Sequence, residues 1–168
     1  GDLSSQHNAH VGSDATIAEA PSTTSSLLSV LRGQLIIDVG GLVLVEEDIE
    51  LLKHPRVSGV ILFQRNFQTS DQLRNLCDSI HAVKSELFIL VDQEGGPVQR
   101  FLGEGFLELP SLKSLGKLAL NDFQVAQKKS REVGYSMAQS LLDIGIDLCL
   151  APVLDCEPNL GTRVGDVL

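Results

Sequence analysis

Leu87 to Val91, reading Leu-Phe-Ile-Leu-Val, is apolar throughout and shows no polar alternation. That is the pattern of a strand covered on both faces in a parallel sheet, so the chain is expected to be an α/β protein. Two carboxylates, Asp92 and Glu94, follow at once, and Gly95 and Gly96 come next. Glycine lets the backbone turn tightly and approach a ligand without a Cβ in the way. Beyond the turn, Gln99 can both donate and accept, and Arg100 offers a planar five-donor fork suited to hydroxyls or a carboxylate. The plainer reading is a solvated βα loop with a surface ion pair, since an Asp after a strand is ordinary turn chemistry.

The same layout recurs along the chain. Leu35-Ile36-Ile37-Asp38-Val39 reads as a first strand ending in an acid, with Gly40 and Gly41 behind it. Glu46, Glu47 and Asp48 place negative charge in the first turn of a helix, Ile49, Leu51 and Leu52 supply its apolar contacts, and Pro55 ends it. Val57 to Phe63 is the second strand, closed by Gln64-Arg65-Asn66. Ser70 is expected to cap the next helix, in which Leu73, Leu76, Cys77, Ile80 and Val83 recur on one face. Gly103 to Leu120, with Gly103, Gly105, Pro110 and Gly116, reads as a long connection of the kind that carries function or covers a site. A third helix starts at Asn121 or Asp122 and runs to about Asp143 with Val125, Val133, Met137 and Leu141 as its buried stripe. Asp147 to Asp155 gives the fourth strand, its sheet-like part stopping near Ala151 because Pro152 forfeits a ladder bond.

Strands and helices in strict alternation mean a parallel sheet of right-handed βα units, and both a doubly wound sheet and a half barrel fit. Asp38, Asp92 and Asp155 fall at strand C-terminal ends, where active-site groups sit in either architecture. No Gly-x-Gly-x-x-Gly follows the first strand and no phosphate loop is present, which disfavours a nucleotide-binding sheet.

Composition removes other classes. A net charge of -9 without any basic run argues against nucleic acid or an anionic membrane surface as a partner. Nothing approaches the ~18 apolar residues of a membrane span, and residues 1–32, rich in Ser, Thr and Ala, lack the basic start and apolar run of a secretory signal. They are expected to be a disordered lead. Cys77, Cys149 and Cys156 are odd in number and have no close-pair metal spacing, as suits reduced thiols in a cytoplasmic protein. A metal site built from Asp38, Asp92 and Asp155 would have no His at ligand spacing, so neither metal nor cofactor is expected.

Taken together, Gln34-Leu35-Ile36-Ile37-Asp38, His54-Pro55, Gly59-Val60-Ile61-Leu62-Phe63, Arg65-Asn66, Val91-Asp92-Gln93-Glu94-Gly95-Gly96, Val98-Gln99-Arg100 and Ala151-Pro152-Val153-Leu154-Asp155 closely resemble family 3 glycoside hydrolases. Within that family the resemblance is to the bacterial β-N-acetylglucosaminidases that recycle peptidoglycan, and it covers about Gly33 to Asp166. It implies a TIM-type (β/α)8 barrel, with 33–168 as its N-terminal half of about four βα units. It also implies hydrolysis, with retention, of the β-glycosidic bond of a terminal N-acetylglucosamine. Asp92 and Arg100 match the family's sugar-binding Asp and Arg. Glu94, Asp155, Asp38 and Arg65 are expected to line the pocket, Glu94 by accepting backbone N–H groups or pairing with Arg100, and Asp38 and Asp155 first as fold residues.

The departures from the family pattern are specific. Pro97 stands where the family usually has Arg, removing a cation and a backbone donor. Val167 follows Val164-Gly165-Asp166 where a sugar-contacting Arg is expected, and Arg163 does not match that position. The family's Lys-His-Phe-Pro-Gly-His-Gly loop, its catalytic His and its nucleophilic Asp would come after Leu168, so no catalytic residue is expected within 1–168 and a truncated, non-catalytic form is the leading expectation. Two alternatives stand beside it. One is an active hydrolase using Asp92 with Glu94, or Asp155, as its carboxylate pair, although a retaining enzyme needs carboxyl groups about 5–5.5 Å apart across the bond. The other is a non-enzymatic half-barrel that self-associates or binds a partner through exposed strand edges.

Overall fold

The computed structural model describes residues 35–154. The lead at 1–32, Asp155, Arg163, Asp166 and Val167 lie outside the described residues. Four parallel strands, β1 (Leu35–Ile37), β2 (Val57–Leu62), β3 (Phe88–Val91) and β6 (Leu148–Cys149), form one sheet in sequence order. A two-stranded antiparallel hairpin, β4 (Gln93–Gly95) with β5 (Val98–Gln99), follows β3. The helices are α1 (Glu46–Lys53), α2 (Ser70–Val83), α3 (Leu112–Asn121) and α4 (Phe123–Ile144), with a 3-10 turn at Gln64–Asn66.

The two faces of the sheet differ. Val60 and Leu62 of β2, Leu87 just before β3, and Ile89 and Val91 of β3 alternate onto one face, where they join Leu73, Leu76, Cys77 and Ile80 of α2 and Leu141 and Ile144 of α4 in a single core. Each such aliphatic side chain contributes roughly 1.5–3 kcal/mol relative to exposure. The residues between them turn the other way. On that second face Ile36 is 53%, Phe88 56%, Leu148 46% and Leu150 47% exposed. Leu87 to Val91 is therefore not covered on both faces as its unbroken apolar run predicts: helices bury one face, and of the other only Leu90 is sealed. Among the described residues helices pack on one face only, as on a barrel-type sheet, whereas a doubly wound sheet carries helices on both sides.

Local chemistry explains the element ends, with several corrections to the sequence reading. Thr69, not Ser70, caps α2, its hydroxyl accepting from the Gln72 N–H at 3.1 Å. In α1 the apolar contact is Leu52, while Leu51 is exposed and the acid Asp48 is buried because its Oδ2 accepts from the Val45 N–H at 3.1 Å. The connection from Gly103 to Leu120 contains α3, capped by the Ser111 hydroxyl and packed against α4. Asp122 caps α4, and Gly145 ends it in the left-handed conformation at φ 98°. Along α4 the buried residues are Ala126, Leu141 and Ile144, Met137 packs partly buried on the core, and Val125 faces solvent. The fourth strand is short, although the N–H groups of Asp147 and Leu150 extend its pairing to Ile89 and Val91 carbonyls at 2.9 and 3.0 Å.

Candidate functional site

Asp38, Phe63 and Asp92 each continue a strand past its C-terminal end. Register and alternation put them on the same face as Ile36, Ile61 and Leu90, away from the helices. Arg65, on the turn after β2, donates from Nη2 to Asp38 Oδ2. Arg100, past the hairpin, donates from Nη2 to Asp92 Oδ2 at 3.3 Å, with side chains 31% and 25% exposed. Both guanidinium groups approach one ring: Arg65 Cζ lies 4.7 Å and Arg100 Cζ 5.6 Å from the Phe63 centroid. The site is therefore two acid–arginine pairs meeting at an aromatic ring. Glu94 sits half-buried in β4 between Asp92 and the turn. Asp155 lies outside the described residues.

Side-chain amides hold the loops that carry these groups. Gln93 is buried; its Oε1 accepts from the backbone N–H groups of Arg100 at 2.9 Å and Phe101 at 3.1 Å, and its Nε2 donates to the Phe101 carbonyl at 2.9 Å. Gln99 turns inward, donating to the carbonyls of Phe101 and Leu107 and accepting from the Leu109 N–H. Asn66 accepts from the Phe63 N–H at 2.9 Å and donates to the carbonyls of Val39 and Gly41 at 3.0 and 2.8 Å, tying the end of β2 to the loop after β1. Beneath the hairpin, Phe67, Phe101 and Phe106 meet with ring centroids 5.2 to 5.4 Å apart.

The glycine pair serves a different neighbour from the one anticipated. Gly95 and Gly96 have φ of 89° and 59°, and a Cβ on Gly95 would stand 2.5 Å from the Pro110 carbonyl oxygen. What approaches them is the chain's own segment 109–111, with the Gly96 N–H donating to the Leu109 carbonyl at 3.0 Å. Of the amides, sequence reasoning singled out Gln99 as a ligand-facing group and missed Gln93 and Asn66 as loop supports. Their one signal was a carboxamide directly beside a strand end.

Each of the two carboxylates faces a guanidinium cation. Asp38 and Asp92 each already accept from a guanidinium, which directs their lone pairs at fixed donors while leaving room for hydroxyl groups. Pairs this exposed add at most about 1 kcal/mol of stability. Among the described residues, no three His, Cys, Asp or Glu side chains gather where one metal ion could take them. Among the same residues, no helix is long and apolar enough to cross a membrane.

Comparison with known proteins gives this geometry a context. Residues 30–164 match the glycosyl hydrolase family 3 N terminal domain. The Beta-hexosaminidase of Aromatoleum aromaticum is 47% identical over 135 residues, covering 80% of this chain and 38% of that protein. The Beta-hexosaminidase of Alkalilimnicola ehrlichii is 46% identical over 138 residues, covering 82% of this chain and 39% of that protein. Among solved structures, NagZ from Neisseria gonorrhoeae in complex with N-trifluoroacetyl-D-glucosamine superposes with a TM-score of 0.71 at 43% identity, over 74% of this chain and 37% of that one. The chain thus spans 38–39% of the length of these curated relatives.

Proposed function

The chain belongs to glycosyl hydrolase family 3, and from that membership we propose that Asp92 and Arg100 form part of the sugar subsite of a β-N-acetylhexosaminidase. Its fold is α/β, with parallel strands in sequence order as part of a TIM-type barrel. The observation that carries the reading is the partly exposed Asp92–Arg100 pair at 3.3 Å. An ionised Asp accepts from two vicinal hydroxyls while the Arg fork donates to neighbouring oxygens, so the pair selects one ring orientation. The relative solved with a glucosamine derivative supports N-acetylglucosamine as the sugar. The substrate class is then peptidoglycan-derived fragments with a terminal N-acetylglucosamine, and the setting is cytoplasmic cell-wall recycling.

The family resemblance assigns bond cleavage to residues after Leu168. The 168-residue chain alone should therefore bind N-acetylglucosamine weakly, because only part of the hydrogen-bonding shell meets the sugar while the entropy cost of association is still incurred. Titration followed by NMR should centre its shifts on 92–100, and Asp92→Ala should abolish them. Shifts centred elsewhere, or full binding by that variant, would sink the assignment. With a chromogenic N-acetylglucosaminide the chain should give no turnover above background; activity that survives purification and disappears in Asp92→Asn would place catalysis on residues read here as binding groups. A second reading, an interaction module that self-associates, draws on the apolar face displayed by Ile36, Phe88, Leu148 and Leu150.

A further inference from the structure

We propose that Phe63 is a positioning residue of this subsite, its ring fixing the plane in which the Arg100 guanidinium meets Asp92 and the sugar. The proposal rests on the reading of Asp92 and Arg100 as sugar-binding groups, and it starts from how little else holds Arg100. The Arg100 backbone is anchored, because its N–H donates to Gln93 Oε1 at 2.9 Å. Its side chain then runs through several rotatable bonds to a head group with five N–H donors. Of these, Nη2 makes a single long contact, 3.3 Å to Asp92, while Nε is buried without a hydrogen-bond partner among the described residues. One long bond at one corner of a planar fork leaves the plane free to rotate. The contact that removes this freedom is the Phe63 ring, 5.6 Å from Cζ and within the ~6 Å reach of a cation–π interaction.

The ring is itself well placed for this role. Phe63 has extended backbone at φ -126° and ψ 175°, and its N–H is held by Asn66 Oδ1 at 2.9 Å, so its position is set by the β2 turn and not by the arginine. Arg65 also lies over the ring, at 4.7 Å, and carries Asp38 as its counter-ion. Because Asp38 neutralises that cation, Arg100 can share the same aromatic surface without facing an uncompensated like charge. A bulky apolar residue at 63 would satisfy packing alone, whereas positioning of Arg100 requires a π face.

Three variants of the full chain, followed by NMR, test this. In the parent, ring current from Phe63 should shift the Arg100 Hε proton from its random-coil position, with or without sugar. In Phe63→Leu, which keeps an apolar side chain but has no ring, that shift should vanish and N-acetylglucosamine affinity should fall about 3- to 10-fold, while the urea midpoint changes little. Phe63→Tyr should retain both the shift and the affinity. A parent lacking the ring-current shift, Phe63→Leu binding as tightly as the parent, or Leu and Tyr weakening binding equally would overturn the proposal. Asp92→Ala separates the two claims: unchanged binding there would reject the sugar subsite itself, and the Hε shift would still report on Phe63 and Arg100.

Discussion

Gln93 shows how much of the site depends on one neutral side chain. It is 1% exposed and pairs three backbone groups at once, the N–H groups of Arg100 and Phe101 and the carbonyl of Phe101. Leucine in its place would leave the two N–H groups unpaired at about 1–3 kcal/mol each, while the Phe101 carbonyl keeps the Gln99 amide as donor, so Gln93→Leu should cost upwards of about 2 kcal/mol in a urea unfolding curve. Its place beside a strand end was its one mark in the sequence, and a weak one, since a carboxamide between two acids reads as one more polar turn residue, whereas Asp92 and Arg100 stood out by charge. Phe63 was hidden for the opposite reason: at the end of an apolar strand, a ring reads as core. Cys77 gives a different residue-scale expectation. Burial, reinforced by Asp78 and Asp147, pushes its thiol from an ordinary 9.0 up to about 12. Below pH 9 both folded and unfolded chains keep the proton; above it the unfolded chain loses the proton first, so stability should fall as pH rises toward 12. The difference in unfolding free energy between parent and Cys77→Ala, measured from about pH 8.5 to about 10.5, should narrow as pH rises; a constant difference would contradict the burial argument.

At the scale of elements, three strands and the face of α2 were legible because their patterns are long and regular. Leu73, Leu76, Cys77 and Ile80 are all buried, as their spacing predicts. Helix α3 was not legible: Gly103, Gly105, Pro110 and Gly116 crowd the segment, a glycine inside a helix costs roughly 1 kcal/mol, and α3 forms against α4 rather than by propensity. Its cap, Ser111, lies directly beside the hairpin, where a Cβ on Gly96 would stand 2.6 Å from the Ser111 Cβ. Hairpin and helix start therefore depend on each other, which predicts an ordering among glycine variants. Gly95→Ala meets both a positive φ of 89° and the Pro110 carbonyl, and should lose roughly 2–5 kcal/mol. Gly103→Ala has φ 78° but open space around its new Cβ, and should lose about 1 kcal/mol. Equal losses in chemical denaturation would show that backbone conformation alone, and not the close approach of segment 109–111, sets the glycine requirement.

For the molecule as a whole, a one-sided core poses a question that stability does not answer. The apolar side chains of Ile36, Phe88, Leu148 and Leu150 lie about half exposed on one sheet face, and β1 and β6 are the outer strands of that sheet. Apolar area of this kind favours association at roughly 25 cal/mol per Å² removed from water, and the outer strands, which have no further strand partner among the described residues, offer hydrogen bonds in addition. The opposing term is electrostatic, because every copy carries a net charge of -9. Salt screens that repulsion and leaves the apolar gain intact, so the two terms can be told apart. Sedimentation velocity on the 168-residue chain should show mass rising with concentration, and rising further as ionic strength goes from about 0.05 M to about 0.5 M. Phe88→Asp should return the chain to monomer at every salt concentration with only a modest change in its unfolding midpoint, since the side chain it removes is already about half in water. Association that weakens with salt would point to ion pairs instead of this face, and a strict monomer at all concentrations would show that repulsion outweighs the exposed apolar area.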